Sequence, residues 1–114
     1  MSSEKIIIGC TEKVTVYGPE GKKKTVTARI DTGATTNSID TDLAAVLNLG
    51  PIVKTTHIRS ALGDSTRPVI EVILKIAGKK LKSHFTLANR KHMNYSVLIG
   101  RNLLKHGFLI DPSR

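Results

Sequence analysis

Apolar and polar residues alternate with a period of two along much of this chain, and turn formers interrupt the alternation about every 8–12 residues. A period of two sends successive side chains to opposite faces of a strand, whereas a helix needs apolar positions three and four apart. The chain is thereby restricted to an all-β barrel or sandwich with one or two short helices. Val14 and Val16 run into Gly18-Pro19-Glu20-Gly21, after which Val26, Ala28 and Ile30 alternate with Thr25, Thr27 and Arg29, which makes a hairpin. Lys22, Lys23 and Lys24 fall near its tip, where a solvated charge run protects a strand edge from pairing with other chains.

Further along, strand-like stretches at 52–60 and 67–77 are linked by Ala61-Leu62-Gly63-Asp64-Ser65-Thr66, a turn composition at the tip of a second, longer hairpin. Gly78-Lys79 turns the chain again, into a run where Leu81, Phe85 and Leu87 alternate with Lys82, His84 and Thr86. Asp40 or Thr41 caps a short helix reaching Asn48, stopped by Gly50-Pro51. The last segment reads as a buried strand at Val97-Leu98-Ile99, a short helix closed by Gly107 and a terminal strand ended by Pro112. With 114 residues and no linker, repeat or low-complexity tract, residues 1–114 are expected to form one domain.

Composition narrows function. Eighteen Lys and Arg against nine Asp and Glu give a formal charge of +9, which attracts polyanions: nucleic acid, an anionic surface or an acidic polypeptide. Single-strand binders stack bases on aromatic rings, yet two Phe and two Tyr are all the chain has, none within the lysine runs, which argues against nucleic acid. One cysteine, Cys10, excludes an internal disulfide and a cysteine zinc cluster, and it reads as a small buried hydrophobe in a cytoplasmic protein. Three consecutive isoleucines near the N-terminus are too short a run for a signal-peptide core or a membrane span. His57, His84, His92 and His106 lack metal-ligand spacing, so no metal and no cofactor is expected.

Chemistry concentrates at Ala28-Arg29-Ile30-Asp31-Thr32-Gly33-Ala34-Thr35, where an acid follows an apolar strand and precedes a hydroxyl, a glycine and a small residue. Such a turn sets a carboxylate at a strand end, and Gly33 allows a close approach that a side chain would forbid. Alone, Asp-Thr-Gly is equally an ordinary loop. Sixty-odd residues later comes Val97-Leu98-Ile99-Gly100-Arg101-Asn102-Leu103-Leu104. This pairing resembles the retropepsin-like aspartic proteases, specifically their half-size homodimeric branch, since the chain holds one Asp-Thr-Gly. It is most similar to the cytosolic branch labelled "putative ATP-dependent zinc protease", whose members carry an Asn-Arg like Asn89-Arg90 and end in a stretch like Phe108-Leu109-Ile110-Asp111-Pro112. That label finds no support in the residues: there is neither a His-Glu-x-x-His nor a glycine-rich phosphate cradle with its lysine.

The resemblance implies a closed acid-protease barrel with Asp31 as the catalytic residue. Hydrolysis by carboxylates needs two of them sharing a proton, one to take a proton from water and one to polarise the carbonyl. One chain supplies one, so a C2 homodimer joining two copies of Asp31 is required, and its optimum is expected to be acidic or mildly acidic. By the same resemblance Thr32 hydrogen-bonds across the dimer, Thr32, Gly33 and Ala34 line the cleft, and Leu62, Gly63 and Asp64 form a flap that closes over a peptide substrate. In many retropepsins the arginine after this glycine pairs with an acid following the catalytic triplet, a place taken here by Thr35 and Thr36. Arg101 therefore either finds another acid or receives a substrate carboxylate. Relatives in the cytosolic branch act on oligoglutamate extensions, and a dimer of charge +18, twice +9, would draw in such a peptide. The competing readings are a non-catalytic dimeric module that binds acidic peptides, and a basic nucleic-acid-binding barrel.

Overall fold

The computed structural model describes residues 4–61 and 63–114. It contains nine strands and two short helices among those residues: β1 Ile6–Ile8, β2 Thr11–Tyr17, β3 Lys23–Ile30, β4 Asn37–Asp40, α1 Thr41–Val46, β5 Ile52–Ser60, β6 Gly63–Ile76, β7 Lys79–Ala88, β8 Val97–Ile99, α2 Arg101–Leu104 and β9 Phe108–Ile110. Six of them close into a barrel in the order β2-β3-β8-β4-β7-β6, the ring being completed by antiparallel pairing of β2 with β6. β5 continues the sheet beyond β6, and β1 pairs in parallel with β9 in a separate two-stranded sheet.

Alternation does the packing. Val14 and Val16 of β2, Ala28 and Ile30 of β3, and Val72, Leu74 and Ile76 of β6 all face the interior, where they meet Phe85, Ile39, Val97, Ile99 and Leu103. Burying one such side chain contributes about 1.5–3 kcal/mol, so the barrel is held chiefly by this core. The outer positions carry Lys13, Lys23, Lys75, Lys80 and Lys82. Among the described residues no helix is long and apolar enough to cross a membrane.

Three local expectations are revised. The ladder of the long hairpin continues to Ser60↔Gly63, so Gly63–Thr66 belong to β6 rather than to a turn. Cross-strand pairing overrides the weak strand propensity of Gly-Asp-Ser, and His57 Nε2 lies 3.2 Å from Asp64 Oδ2 across that ladder. The helix α1 ends at Val46 rather than at Asn48, because Asn48 takes a left-handed conformation, φ 53°. Cys10 is exposed, with its thiol 3.5 Å from the Pro112 carbonyl, since it sits at the junction between the two-stranded sheet and the barrel, outside the core.

Candidate active site

Asp31 stands where β3 ends, and the reason is its two neighbours in the ladder. β3 runs parallel to β8, with Ile30 opposite Ile99, and the next amide, that of Asp31, donates to the Ile99 carbonyl at 2.9 Å. The chain then turns: the Ala34 amide donates to the Asp31 carbonyl at 3.2 Å, and the Gly33 amide donates to Asp31 Oδ1 at 2.9 Å. A Cβ on Gly33 would sit 3.2 Å from that same Oδ1, so glycine is favoured here by close approach to the carboxylate. Asp31 and Ala34 are half-buried, while Thr32 and Gly33 are exposed.

The loop is locked from behind by the segment that opens α2. The Arg101 and Asn102 amides donate to the carbonyls of Ala34 and Thr35 at 2.9 and 3.1 Å. Gly100 makes this approach possible, because a Cβ there would lie 2.6 Å from the Thr36 carbonyl oxygen and 2.9 Å from that of Ala34. Arg101 completes the lock with its side chain: Nη1 donates to the Thr32 carbonyl at 2.9 Å and Nη2 to Thr35 Oγ1 at 3.1 Å. Neither sequence-based alternative for Arg101 describes these contacts. A threonine hydroxyl and a carbonyl occupy the guanidinium where an acid was expected, and they make it a clamp on the Asp-Thr-Gly loop.

Sequence reasoning missed Asn37, which is fully buried on β4. Its Oδ1 accepts from the Gly100 amide at 2.8 Å, and its Nδ2 donates to Ser83 Oγ and the His84 carbonyl, each at 3.0 Å. Asn102 mirrors it, accepting from the Asn37 amide at 3.0 Å and donating to the same His84 carbonyl at 3.0 Å. The two amides tie β4, β7 and α2 together beneath the Asp31 loop. Two asparagines 65 positions apart carry no local pattern that marks such a pair.

Beside Asp31 an open cavity of about 380 Å³ is lined by Arg29, Arg90, His92, Tyr95 and Leu98. Arg29 projects outward from β3, and Leu98 is its partner on β8. Arg90 is buried, 9% exposed. Asp40 caps α1 through one carboxylate oxygen and with the other accepts the Arg90 amide at 2.7 Å. Burial pulls the Arg90 guanidinium below its ordinary value, Arg67 and Arg29 add repulsion, and Asp40 and Asp31 oppose the shift.

Gly63 and Asp64 lie at the far end of the hairpin, both exposed, while Leu62 lies outside the described residues. Gly63 has φ +121°, a conformation that favours glycine at the tip. Among the described residues no group of three or more His, Cys, Asp or Glu is gathered as a metal site would require.

Comparison with known proteins adds the lineage. The family model described as RimB-like, retropepsin-like aspartic endopeptidase RimB, matches residues 39–114, a segment that begins after the Asp-Thr-Gly. Two proteins named probable alpha-L-glutamate ligase, from Shewanella pealeana and Shewanella halifaxensis, are 29% and 28% identical to 99% of this chain. The chain spans 30% of the length of each. Among solved structures, a protein of unknown function from Legionella pneumophila aligns over 95% of this chain and 94% of its own, with TM-score 0.65 and 24% identity. The simian foamy virus protease aligns over 83% and 91% of the two chains, with TM-score 0.60 and 19% identity. The EIAV protease in complex with an inhibitor covers 83% and 84%, with TM-score 0.65 and 22% identity. The barrel is thus retropepsin-like in architecture.

Proposed function

From the fact that this chain belongs to the RimB-like family of retropepsin-like aspartic endopeptidases, we propose that it is an aspartic peptidase, active as a homodimer and directed at acidic peptides. The observation that carries the reading is the placement of Asp31: a carboxylate at a strand end, in a loop clamped by Arg101 and Gly100, facing an open cavity. Its Oδ1 is oriented by the Gly33 amide, and its Oδ2 accepts no hydrogen bond among the described residues.

In the dimer, Asp31 and its symmetry copy share one proton, because two adjacent carboxylates resist joint ionisation. The ionised member takes a proton from water as the oxygen attacks the scissile carbonyl carbon, and the protonated member hydrogen-bonds the carbonyl oxygen. Collapse of the tetrahedral intermediate breaks the C–N bond, and a carboxyl proton passes to the leaving amine. The clamp is what this chain contributes to rate, since misplacing a catalytic group by about 1 Å can cost about 10²-fold. Closure of the Gly63–Asp64 hairpin tip would exclude water from the cleft.

An acidic substrate fits the charge of +9 per chain and the arginines beside Asp31. The names of the Shewanella relatives, which refer to glutamate ligation, support a glutamate-bearing peptide. The test is cleavage of a peptide with a C-terminal oligoglutamate tail, alongside a neutral control, by wild type and Asp31→Asn, read by mass spectrometry. Glutamate loss that disappears in the variant is the expected result. Cleavage that survives Asp31→Asn would overturn the assignment.

A further inference from the structure

Peptide hydrolysis at Asp31 makes no use of the lysines on the outer face of β2, β6 and β7. Lys13, Lys75, Lys80 and Lys82 are all exposed there, and none of them lines the cavity beside Asp31. The register gathers them: Thr15 of β2 lies opposite Lys75 of β6, which lies opposite Lys80 of β7, and in the next row Tyr17, Ile73 and Lys82 stand in the same order. Lys105, at the C-terminal end of α2, faces Lys82 across an open cavity of about 280 Å³ that His84 and His106 also line. Among the described positions that share this face the one acid is Glu71, and Lys82 already pairs with it at 3.6 Å.

This pattern works against the fold. Like charges directly opposite in a ladder are destabilising, and Lys75 and Lys80 stand so. The side chains of Lys13, Lys75 and Lys105 make no ion pair, hydrogen bond or ring contact among the described residues. Lysines commonly guard the open edge of a sheet, yet β2, β6 and β7 each have a paired strand on both sides in the closed ring, so these guard no edge. An external anion is what would offset their repulsion.

The kind of cation selects the kind of anion. Arginine's planar fork matches a carboxylate at two points, whereas lysine is a compact point charge that serves phosphate oxygens without that geometry. The arginines lie elsewhere: Arg29 and Arg90 beside Asp31, Arg101 on its loop, Arg59 and Arg67 on the long hairpin, and Arg114 against β1. The wall offers single strands no stacking platform, because Lys80 Nζ covers the Tyr17 ring at 4.6 Å from its centroid. It is a sheet face, with no helix or ribbon to enter the major groove of DNA. Double-helical RNA instead presents a wide, shallow groove between its phosphates and is recognised by shape and backbone contacts. We propose that the outer wall of β2, β6 and β7, together with Lys105, docks this protein on the phosphate backbone of double-helical RNA. The surface is separate from Asp31 and stands whether or not the chain hydrolyses peptides.

The probe is a mixed-sequence RNA duplex of about 16 base pairs, titrated by fluorescence anisotropy at several salt concentrations between about 0.05 and 0.2 M. A DNA duplex of the same sequence and a polyglutamate of equal charge are titrated beside it. Wild type is expected to bind the RNA duplex more tightly than either, with log K falling against log salt at a slope of roughly −4. The double variant Lys13→Gln, Lys75→Gln alters two exposed side chains that hold nothing in the fold, so its Tm should not fall. It is expected to flatten the slope by about two units and weaken binding about tenfold or more at about 0.1 M salt. Lys54→Gln with Lys91→Gln removes the same charge away from the wall and is expected to leave the slope unchanged. Polyglutamate bound as tightly as RNA overturns the phosphate reading, and DNA bound as tightly as RNA overturns the choice of RNA. No binding at the lowest salt, or equal losses in the two double variants, overturns the docking surface itself.

Discussion

Replacing Asn37 by Ala removes the group on which the rear of the active site converges, and its cost follows from three hydrogen bonds. The Gly100 amide is buried and would lose the Asn37 Oδ1 acceptor at 2.8 Å, and an unsatisfied buried amide costs about 1–3 kcal/mol. The His84 carbonyl and Ser83 Oγ would lose Asn37 Nδ2 but keep Asn102 Nδ2, at 3.0 and 3.4 Å, so together they add about 1 kcal/mol. The expected loss is about 2–4 kcal/mol, which for a domain of this size lowers Tm by roughly 8–16 °C. Urea unfolding followed by circular dichroism reads it as a lower midpoint at unchanged m. Since Asn37 and Asn102 share both partners, a cycle with Asn102→Ala and the double variant should show coupling of about 0.5 kcal/mol or more. A loss under about 1 kcal/mol, or additivity within about 0.3 kcal/mol, would refute the idea that the two asparagines act as one lock.

Gly100→Ala should destabilise by about 2 kcal/mol or more, because the atoms a Cβ would meet at 2.6 to 2.9 Å are backbone and cannot swing aside; denaturant unfolding tests it. Arg101→Ala should separate stability from activity: the side chain is exposed, so unfolding shifts by about 1 kcal/mol, while kcat falls at least about tenfold as the Asp31 loop loosens. Ser113→Ala should raise the Asp111 carboxyl, which is held below its ordinary value by the Ser113 hydroxyl and then by the Ser113 amide; carbon-detected NMR titration reads the shift. A depressed carboxyl stabilises above its unfolded pKa, and that contribution fades as pH falls through the folded one, so the variant should lose part of its acid-side stability dependence.

What was legible in the sequence was what repeats locally. Alternation located β2, β3, β6 and β7 because each has one face in the core. β4 escaped it: Asn-Ser-Ile-Asp has the composition of a turn, and it is a strand only because β7 and β8 flank it and every residue is buried. β1 is three isoleucines whose partner, β9, lies at the other end of the chain. The Asp-Thr-Gly triplet marked Asp31 because the loop's chemistry is contiguous. Arg90 was only one arginine among several, since the carboxylate that holds its backbone amide, that of Asp40, lies fifty positions away. The Arg101 contacts were hidden for a related reason: nothing in a sequence reports that a hydroxyl at Thr35 takes the place of an acid.

The proposed hydrolysis requires one catalytic site built from two chains, and mixing tests that directly. Wild type and Asp31→Asn would be unfolded together, refolded at varied ratios and assayed on the oligoglutamate-tailed peptide at constant total protein. A dyad with one Asp31 from each chain predicts activity proportional to the square of the wild-type fraction, about one quarter at an equal mixture. Activity proportional to the fraction itself, about one half at an equal mixture, would mean that each chain works alone and would contradict the shared dyad.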